Sequence, residues 1–381
     1  MRILHTSDWH VGKVLKGQSR VEEHVAVLAQ VVEIAKAERP DLVIVAGDLY
    51  DTAAPTPEST RLVTRALSAL RRTGADVVAI GGNHDNGAAL DALRPWADAA
   101  GITLRGSVRD NPAEHVIEGT TAAGERWRLV ALPFLSQRFA VRAVEMYDLT
   151  AAEATQTYAD HLQRLIGKLA EGFDEAGVVN LVTAHVTVVG ASQGGGEREA
   201  QTVLGYAVPA NVFPTSSHYV ALGHLHRAQT VIGPCPVRYS GSPLAIDFGE
   251  GENVPAVSIV DVTAQKAAKV REVPVTAAAA LRTVRGTLDQ LAALETGEAW
   301  LRVYVRETPR AGLREEVQAL LPRALEVRID PDLVQSSAGP KAAERAGRTP
   351  SELFAAYLES RGVDDDDVRT LFSQLYDEAS A

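Results

Sequence analysis

DLVIVAGDLYD, residues 41–51, is the stretch on which the fold turns. Its first half, Leu42 to Ala46, is an unbroken apolar run, the pattern of a strand buried on both faces. Its second half changes abruptly to a glycine and two aspartates, Asp48 and Asp51. The same grammar repeats on either side. Upstream, RILHTSD (2–8) is a short apolar run ending in polar residues, and EEHVAVLAQVVEIAKAE (22–38) keeps helical spacing until Pro40. Downstream, ESTRLVTRALSALRRTG (58–74) reads as a helix with Gly74 at its C-terminal end, and DVVAIGGNHD (76–85) repeats strand and turn. The order βαβαβ predicts parallel strands with right-handed crossovers, and functional loops beyond their carboxyl ends.

A chain of 381 residues predicts two or three domains. With 46% hydrophobic and 23% charged residues it has the composition of a globular protein with a substantial core. No run of 18 apolar residues predicts a membrane span, and MRILHTSD lacks the plan of a signal peptide. One cysteine, Cys235, excludes an internal disulfide and a thiolate metal cluster, and a cytoplasmic setting is expected. The net charge of −11 argues against nucleic acid only weakly. Residues 351–381 hold eight acidic side chains against Arg361 and Arg369, which leaves only −5 for everything before them.

Two further buried-strand patterns follow, VVNLVTAHV (178–186) and HYVALGHLH (218–226), then VRYSGSPL (237–244), a strand entering a tight turn. VPAVSIVDV (254–262) and KVREVPV (269–275) alternate like antiparallel strands. EAWLRVYVRE (298–307), LREEVQALLP (313–322) and ALEVRIDP (324–331) make a compact βαβ unit. SSAGPKAAERAGRTP (336–350) reads as a linker. Beyond it, two short amphipathic helices place Leu353, Phe354, Tyr357 and Leu358, then Val368, Leu371, Phe372 and Leu375, on apolar stripes. The expected domains are 1–270, 275–335 as a smaller unit, the linker 336–350 and the tail 351–381.

The chemistry collects at the strand ends: Asp8 and His10; Asp48 and Asp51; Asn83, His84 and Asp85; His185; His224 and His226. Each alone reads equally well as turn chemistry or as a structural histidine. Together they put metal-ligand chemistry at five strand ends, on the side of the sheet where ligands bind. Gly47, Gly82 and Gly223 precede three of them, where the backbone is expected to turn sharply. His5, His24, His115, His161 and His218 lack this context and read as structural or surface residues. Oxygen and imidazole ligands without sulfur favour Mn²⁺, Fe or Zn²⁺, and their mixture suits two adjacent cations. Such a pair clamps the attacking and leaving oxygens of a phosphoryl displacement and activates a water. An aspartate bridges two ions well, and Asp48 is the central choice.

The pattern D-x-H, G-D-x-x-D, G-N-H-D, H, G-H-x-H resembles that of the calcineurin-like metallophosphoesterases. More narrowly, HTSDWHVGK (5–13), AGDLYDTAAP (46–55), YVALGHLHRAQ (219–229), RYSGSPLAIDFGE (238–250) and TPSELFAAYLESRG (349–362) are similar to the SbcD family of nuclease subunits. The resemblance implies an α/β fold: a β-sandwich flanked by helices, with a small α+β capping domain and a C-terminal helical tail. It implies one metal on Asp8, His10, Asp48 and His226, and another on Asp48, Asn83, His185 and His224. His84 is then left as a general acid, paired with the carboxylate of Asp51. The lesser alternative is that Asp51 merely caps the following helix. Lys13, Lys16 and Arg20 are candidate DNA phosphate contacts or ordinary surface cations.

The implied activity is a Mn²⁺-dependent exonuclease on duplex ends and endonuclease on single strands and hairpins, serving DNA repair, recombination and replication. The implied partners are DNA, an SbcC-type coiled-coil ATPase docked on the tail helices, and a second copy of the chain within a heterotetramer, through helices near 86–100. The alternatives are a phosphoesterase for small phosphodiesters or phosphoproteins, and an inactive end-binding scaffold. Arginines usual beside the motifs of phosphoprotein phosphatases are missing from GDLYDTAAP and GNHDNGA. The glycine-rich GASQGGGEREA (190–200) is left without an assigned contact.

Overall fold

In the computed structural model, which describes residues 1–136, 158–197, 207–333, 349–362 and 365–380, all four side chains of Leu42–Val45 are buried. Leu42 and Ile44 face one apolar cluster, Val43 and Val45 another. A strand covered on both sides has no polar alternation to show, which is why the sequence reads there as one apolar run. It is the fourth strand, after β1 (Arg2–Thr6) and a short ribbon of β2 (Val14–Leu15) and β3 (Gln18–Ser19). With β5 (Asp76–Ile80), β6 (Ile102–Arg105), β13 (Ala256–Thr263) and β14 (Lys266–Pro274), β1 and β4 build a six-stranded sheet in the order β14-β13-β1-β4-β5-β6. β1, β4, β5 and β6 are mutually parallel, and the hairpin β13–β14 closes the edge antiparallel to β1.

A second six-stranded sheet is also mixed. It contains β7 (Val116–Thr120), β8 (Arg126–Leu132), β9 (Val178–His185), β10 (Tyr219–Gly223), β11 (Gln229–Val231) and β12 (Val237–Tyr239), in the order β11-β12-β10-β9-β8-β7. Its four central strands are parallel and its edge strands antiparallel. Ile3, Ile44, Val78 and Ile80 of the first sheet share one cluster with Trp127, Leu129, Leu181 and Tyr219 of the second, so the two sheets pack face to face.

Helices cover the outer faces. α1 (Val21–Glu38) and α2 (Pro57–Arg71) bury Val27, Val31, Val63 and Leu67 against the first sheet. Thr56 caps α2, accepting from Ser59 N at 3.1 Å, with Pro57 in the first turn. The short α3 (Gly87–Ala92) and α4 (Arg94–Ala99) follow β5, and α5 (Tyr158–Leu169) buries Leu162, Leu165 and Ile166 with Val182 and Leu222 of the second sheet.

By contact the chain divides into two compact units. One holds residues 1–283, 295–302 and 323–326, the other 284–294, 303–322 and 327–381. β15 (Leu281–Gly286), β16 (Trp300–Val305) and β17 (Ala324–Ile329) form a three-stranded sheet. The second unit also contains α6 (Leu288–Ala292), α7 (Leu313–Leu320), α8 (Pro350–Ser360) and α9 (Asp366–Ser380). Most of the expected linker, 336–348, and Asp364 lie outside the described residues.

Thr349 and Glu352 form a reciprocal capping box on α8. Phe354 stacks on Phe372 across α8 and α9 at 4.0 Å, so part of each apolar stripe is covered by the other helix. Tyr357, Leu371, Leu375 and Tyr376 remain exposed. No described helix is long and apolar enough to cross a membrane.

Candidate metal centre

The residues singled out at the strand ends converge in the first unit. Asp8 and His10 follow β1, Asp48 follows β4, Asn83 and His84 follow β5, His185 ends β9, and His224 and His226 follow β10. Asp8, His10, Asp48 and His224 all have positive φ, 54°, 48°, 51° and 99°. A left-handed backbone is costly for a side-chain-bearing residue and persists where the surroundings dictate it.

Asp8 is held from three directions. Ser7 Oγ donates to its Oδ2 at 2.6 Å, His224 N to its Oδ1 at 2.9 Å, and Ser242 Oγ to its main-chain oxygen at 2.7 Å. YSGSPL therefore serves as a brace for the first ligand loop. Asp48 is oriented by His84 N, which donates to Oδ1 at 2.8 Å, leaving Oδ2 3.5 Å from His10 Nε2 and 3.4 Å from His185 Nε2. On one side of Asp48, His10 Nε2 and His226 Nε2 approach to 3.2 Å. On the other, Asn83 Oδ1 lies 2.7 Å from both His185 Nε2 and His224 Nδ1. The ligand atoms of Asp8, His10 and His226, of His10, Asp48 and His84, and of Asp8, Asp48 and His185 lie within 4.8 Å of one another in each triad.

The glycines serve more than one purpose. Gly47, at φ 97°, does make the sharp turn expected of it. Gly82 and Gly223 are needed for close approach instead. A Cβ on Gly82 would stand 2.7 Å from Asp48 Cγ, and one on Gly223 would stand 2.9 Å from His185 Nδ1.

The donors fit divalent cations. His185 Nδ1 donates to Ala46 O at 2.8 Å, and His226 Nδ1 to Glu250 Oε1 at 2.8 Å. Both rings thereby turn Nε2 toward the cluster, the usual arrangement behind a metal-bound histidine. Two Nε2 atoms facing at 3.2 Å, as in His10 and His226, are reconciled only by a proton or a cation between them. Without a metal, protons take that part. Burial alone would push His185 and His226 down. Asp48 instead raises His185 to about 9, and Glu250, Asp8 and Glu197 raise His226 to about 10. Burial dominates at His10 and His224, both lowered to about 3. Asp48 is held well below the carboxylate range by His185, His10 and His84 despite its burial.

Two expectations need correction. His84 Nδ1 donates to the main-chain oxygen of Asp51 at 2.8 Å, not to its carboxylate. The Asp51 carboxylate faces His10 Nδ1 at 3.5 Å and accepts from Lys13 Nζ at 3.2 Å. Burial would raise Asp51, but His10 and Lys13 bring it to about 2. Arg20 is no surface cation: its side chain is fully buried, paired with Glu23 and donating to Ala245 O at 3.0 Å, so it cannot reach a phosphate. Lys16 remains at the surface, 3.5 Å from Glu326.

Of the histidines read as structural, His5 is bonded to Tyr219 Oη at 2.9 Å and His24 to Trp9 O at 3.0 Å. His115 bonds Ala131 O at 2.9 Å. Sequence reasoning missed Glu197 and Glu250. Nothing local marks Glu250 as buried or either glutamate as standing beside His226, which is 24 residues from Glu250.

Comparison with known proteins gives two family matches. The calcineurin-like phosphoesterase family matches residues 1–227, and the family described as type 5 capsule protein repressor C-terminal domain matches residues 278–361. Among similar proteins, the D subunit of nuclease SbcCD from Bacillus subtilis (strain 168) is 34% identical over 326 residues, 83% of this chain and 81% of that protein. Its namesake from Rhodobacter capsulatus is 32% identical over 93% of this chain and 94% of that protein. The Escherichia coli (strain K12) protein is 32% identical over 77% and 73%.

Proposed function

Because the chain belongs to the calcineurin-like phosphoesterase family and, within it, to the SbcCD D subunits, we propose that it cleaves phosphodiester bonds of DNA with divalent cations. The observation that carries this reading is the sharing of Asp48 Oδ2 between two donor groups. Asp8, His10, Asp48 and His226 are the proposed ligands of one cation, Asp48, Asn83, His185 and His224 those of the other, with Mn²⁺ as the ion. When bound, such a pair supplies charge neutralisation on the phosphate and an activated water at neutral pH.

His84 is the proposed general acid. Its Nδ1 donates to Asp51 O at 2.8 Å, which fixes the ring that would hand a proton to the leaving oxygen. Asp51 faces His10 with its carboxylate and accepts from His84 with its main-chain oxygen. Exonuclease action on duplex ends, endonuclease action on single strands and hairpins, and a cytoplasmic role in DNA repair, recombination and replication complete the reading. So do the divisions 1–270 as nuclease domain, 275–335 as capping domain, 336–350 as linker and 351–381 as tail. An SbcC-type ATPase is the proposed partner of α8 and α9, whose exposed Tyr357, Leu371 and Leu375 offer it an apolar face. A homodimer within a heterotetramer is the proposed assembly.

The test uses end-labelled duplex, hairpin and single-stranded DNA beside a small nitrophenyl phosphodiester, each with Mn²⁺ or EDTA. Metal-dependent DNA cleavage that Asp48→Asn abolishes, in a protein that still melts cooperatively, is the expected result. Turnover of the small diester with DNA left intact would replace this reading with a small-substrate phosphoesterase.

A further inference from the structure

The two donor groups differ in what stands around and behind them. Asp8 groups with His10 and His226 and reaches Asp48 and His185 as well, whereas Asn83 brings the other position a neutral amide. The contrast repeats behind the rings. His226 Nδ1 bonds Glu250 Oε1 at 2.8 Å with both side chains almost wholly buried, and His10 Nδ1 faces Asp51 Oδ1 at 3.5 Å. On the other side, His185 Nδ1 donates to a backbone carbonyl, and His224 Nε2 has no hydrogen-bond partner among the described residues.

Glu250 is fixed as firmly as a ligand. Its Oε2 accepts from Ile246 N at 3.0 Å, and Asp247 caps its short turn by accepting from Gly249 N at 2.8 Å. Arg302 lies over the Phe248 ring at 4.9 Å. The glycine-rich loop covers the pair. A Cβ on Gly196 would overlap Glu250 Oε1 and stand 2.9 Å from His226 Nδ1, so only glycine fits there. Glu197 then anchors the loop, accepting from Gly195 N at 2.7 Å and from His226 N at 3.0 Å.

We infer that the two cation positions are unequal, and that Glu250, helped by Asp51, makes the position of Asp8, His10, Asp48 and His226 the tight one. This rests on the two-cation reading above. A carboxylate behind an imidazole makes it a better electron donor and fixes its aim, and a covering that excludes water lets that charge act in a low dielectric. Lys13 shares Asp51, so Glu250 is the stronger lever. Behind His185 and His224 no carboxylate bonds the outer ring nitrogen among the described residues, so that position exchanges its ion more readily.

The experiment titrates the metal-free full chain with Mn²⁺, following free Mn²⁺ by its electron paramagnetic resonance signal. Two classes of site at least ~10-fold apart are expected, within the range over which outer partners alter affinity. Asn83→Ala removes the weak class and keeps the tight one. Glu250→Gln, equal in shape but neutral, weakens the tight class by ~10–100-fold and spares the weak one. Asp51→Asn shifts the tight class the same way, by less, and stands in should Glu250→Gln fail to melt cooperatively in EDTA. Two equal classes, or a Glu250→Gln loss in the class that Asn83→Ala removes, overturns the inference while leaving the nuclease reading intact. A wild-type chain that binds no Mn²⁺ overturns both.

Discussion

Gly82→Ala is the smallest change that reaches the centre of the site without touching a ligand. Gly82 has no positive φ, so alanine there carries no backbone penalty and the cost is contact alone. The new methyl would overlap Asp48 Oδ1 and the Asp48 main-chain N and would stand 2.7 Å from Asp48 Cγ, about 0.8 Å inside the ~3.5 Å at which carbons pack. Asp48 cannot yield cheaply, since His84 N and its own left-handed backbone hold it on one side and the rings of His10 and His185 on the other. Overpacking of this kind costs ~1–3 kcal/mol of stability. A misplacement approaching 1 Å at a reacting centre lowers turnover ~10²-fold. The assay is Mn²⁺ titration and DNA cleavage, with thermal melting in EDTA. Gly167→Ala, in α5 with nothing within 4 Å of the new methyl, is the control and should stabilise by roughly 0.5–1 kcal/mol with unchanged Mn²⁺ affinity. A Gly82→Ala protein with wild-type Mn²⁺ affinity and turnover would refute the packing argument.

His84→Gln should keep both Mn²⁺ equivalents and lose turnover by ~10²–10⁴-fold; loss of an equivalent would make His84 a ligand instead. At pH 7, His185 (about 9) and His226 (about 10) carry protons in the metal-free protein, so Mn²⁺ uptake should release about two protons and tighten as pH rises toward 9. Calorimetry in buffers of different ionisation enthalpy measures that release, and fewer than one proton would remove these rings from the ligand set. Lys16→Ala should reduce the salt dependence of DNA binding by about one counterion, whereas Arg20→Met should leave it alone and lower the melting temperature, since Glu23 loses its buried guanidinium and keeps only Ala279 N and Trp300 Nε1 as donors. Deleting 350–381 should spare cleavage of single strands and abolish co-purification with the ATPase; retained assembly would move the docking site elsewhere.

Much of this protein is legible in its sequence because parallel βαβ connection is a local rule with a global consequence. Within each sheet the parallel strands put their carboxyl ends on the same edge, and where the two sheets pack face to face Asp8, Asp48 and Asn83 of one meet His185 and His224 of the other, although 216 residues separate the first from the last. Residue type and position along a strand were enough to name them.

What stands behind those residues was decided only by tertiary packing. Glu250 and Glu197 carry no local mark, since a glutamate after a turn reads as solvated until a loop of glycines closes over it. Asp51 lies near both His10 and His84, and spacing could not say that its carboxylate serves one ring and its carbonyl the other. Arg20 reads as a surface cation because burial of a guanidinium depends on Glu23 and on Ala245, a residue 225 positions away. The face-to-face packing of two sheets was equally hidden in the residues themselves: Leu42–Val45 and Val178–His185 are buried on both sides, so no alternation records which side chain meets the other sheet. Composition and spacing determine what a residue can do; the neighbours that set its charge, its aim and its exposure come from segments far along the chain, brought together only when the core closes.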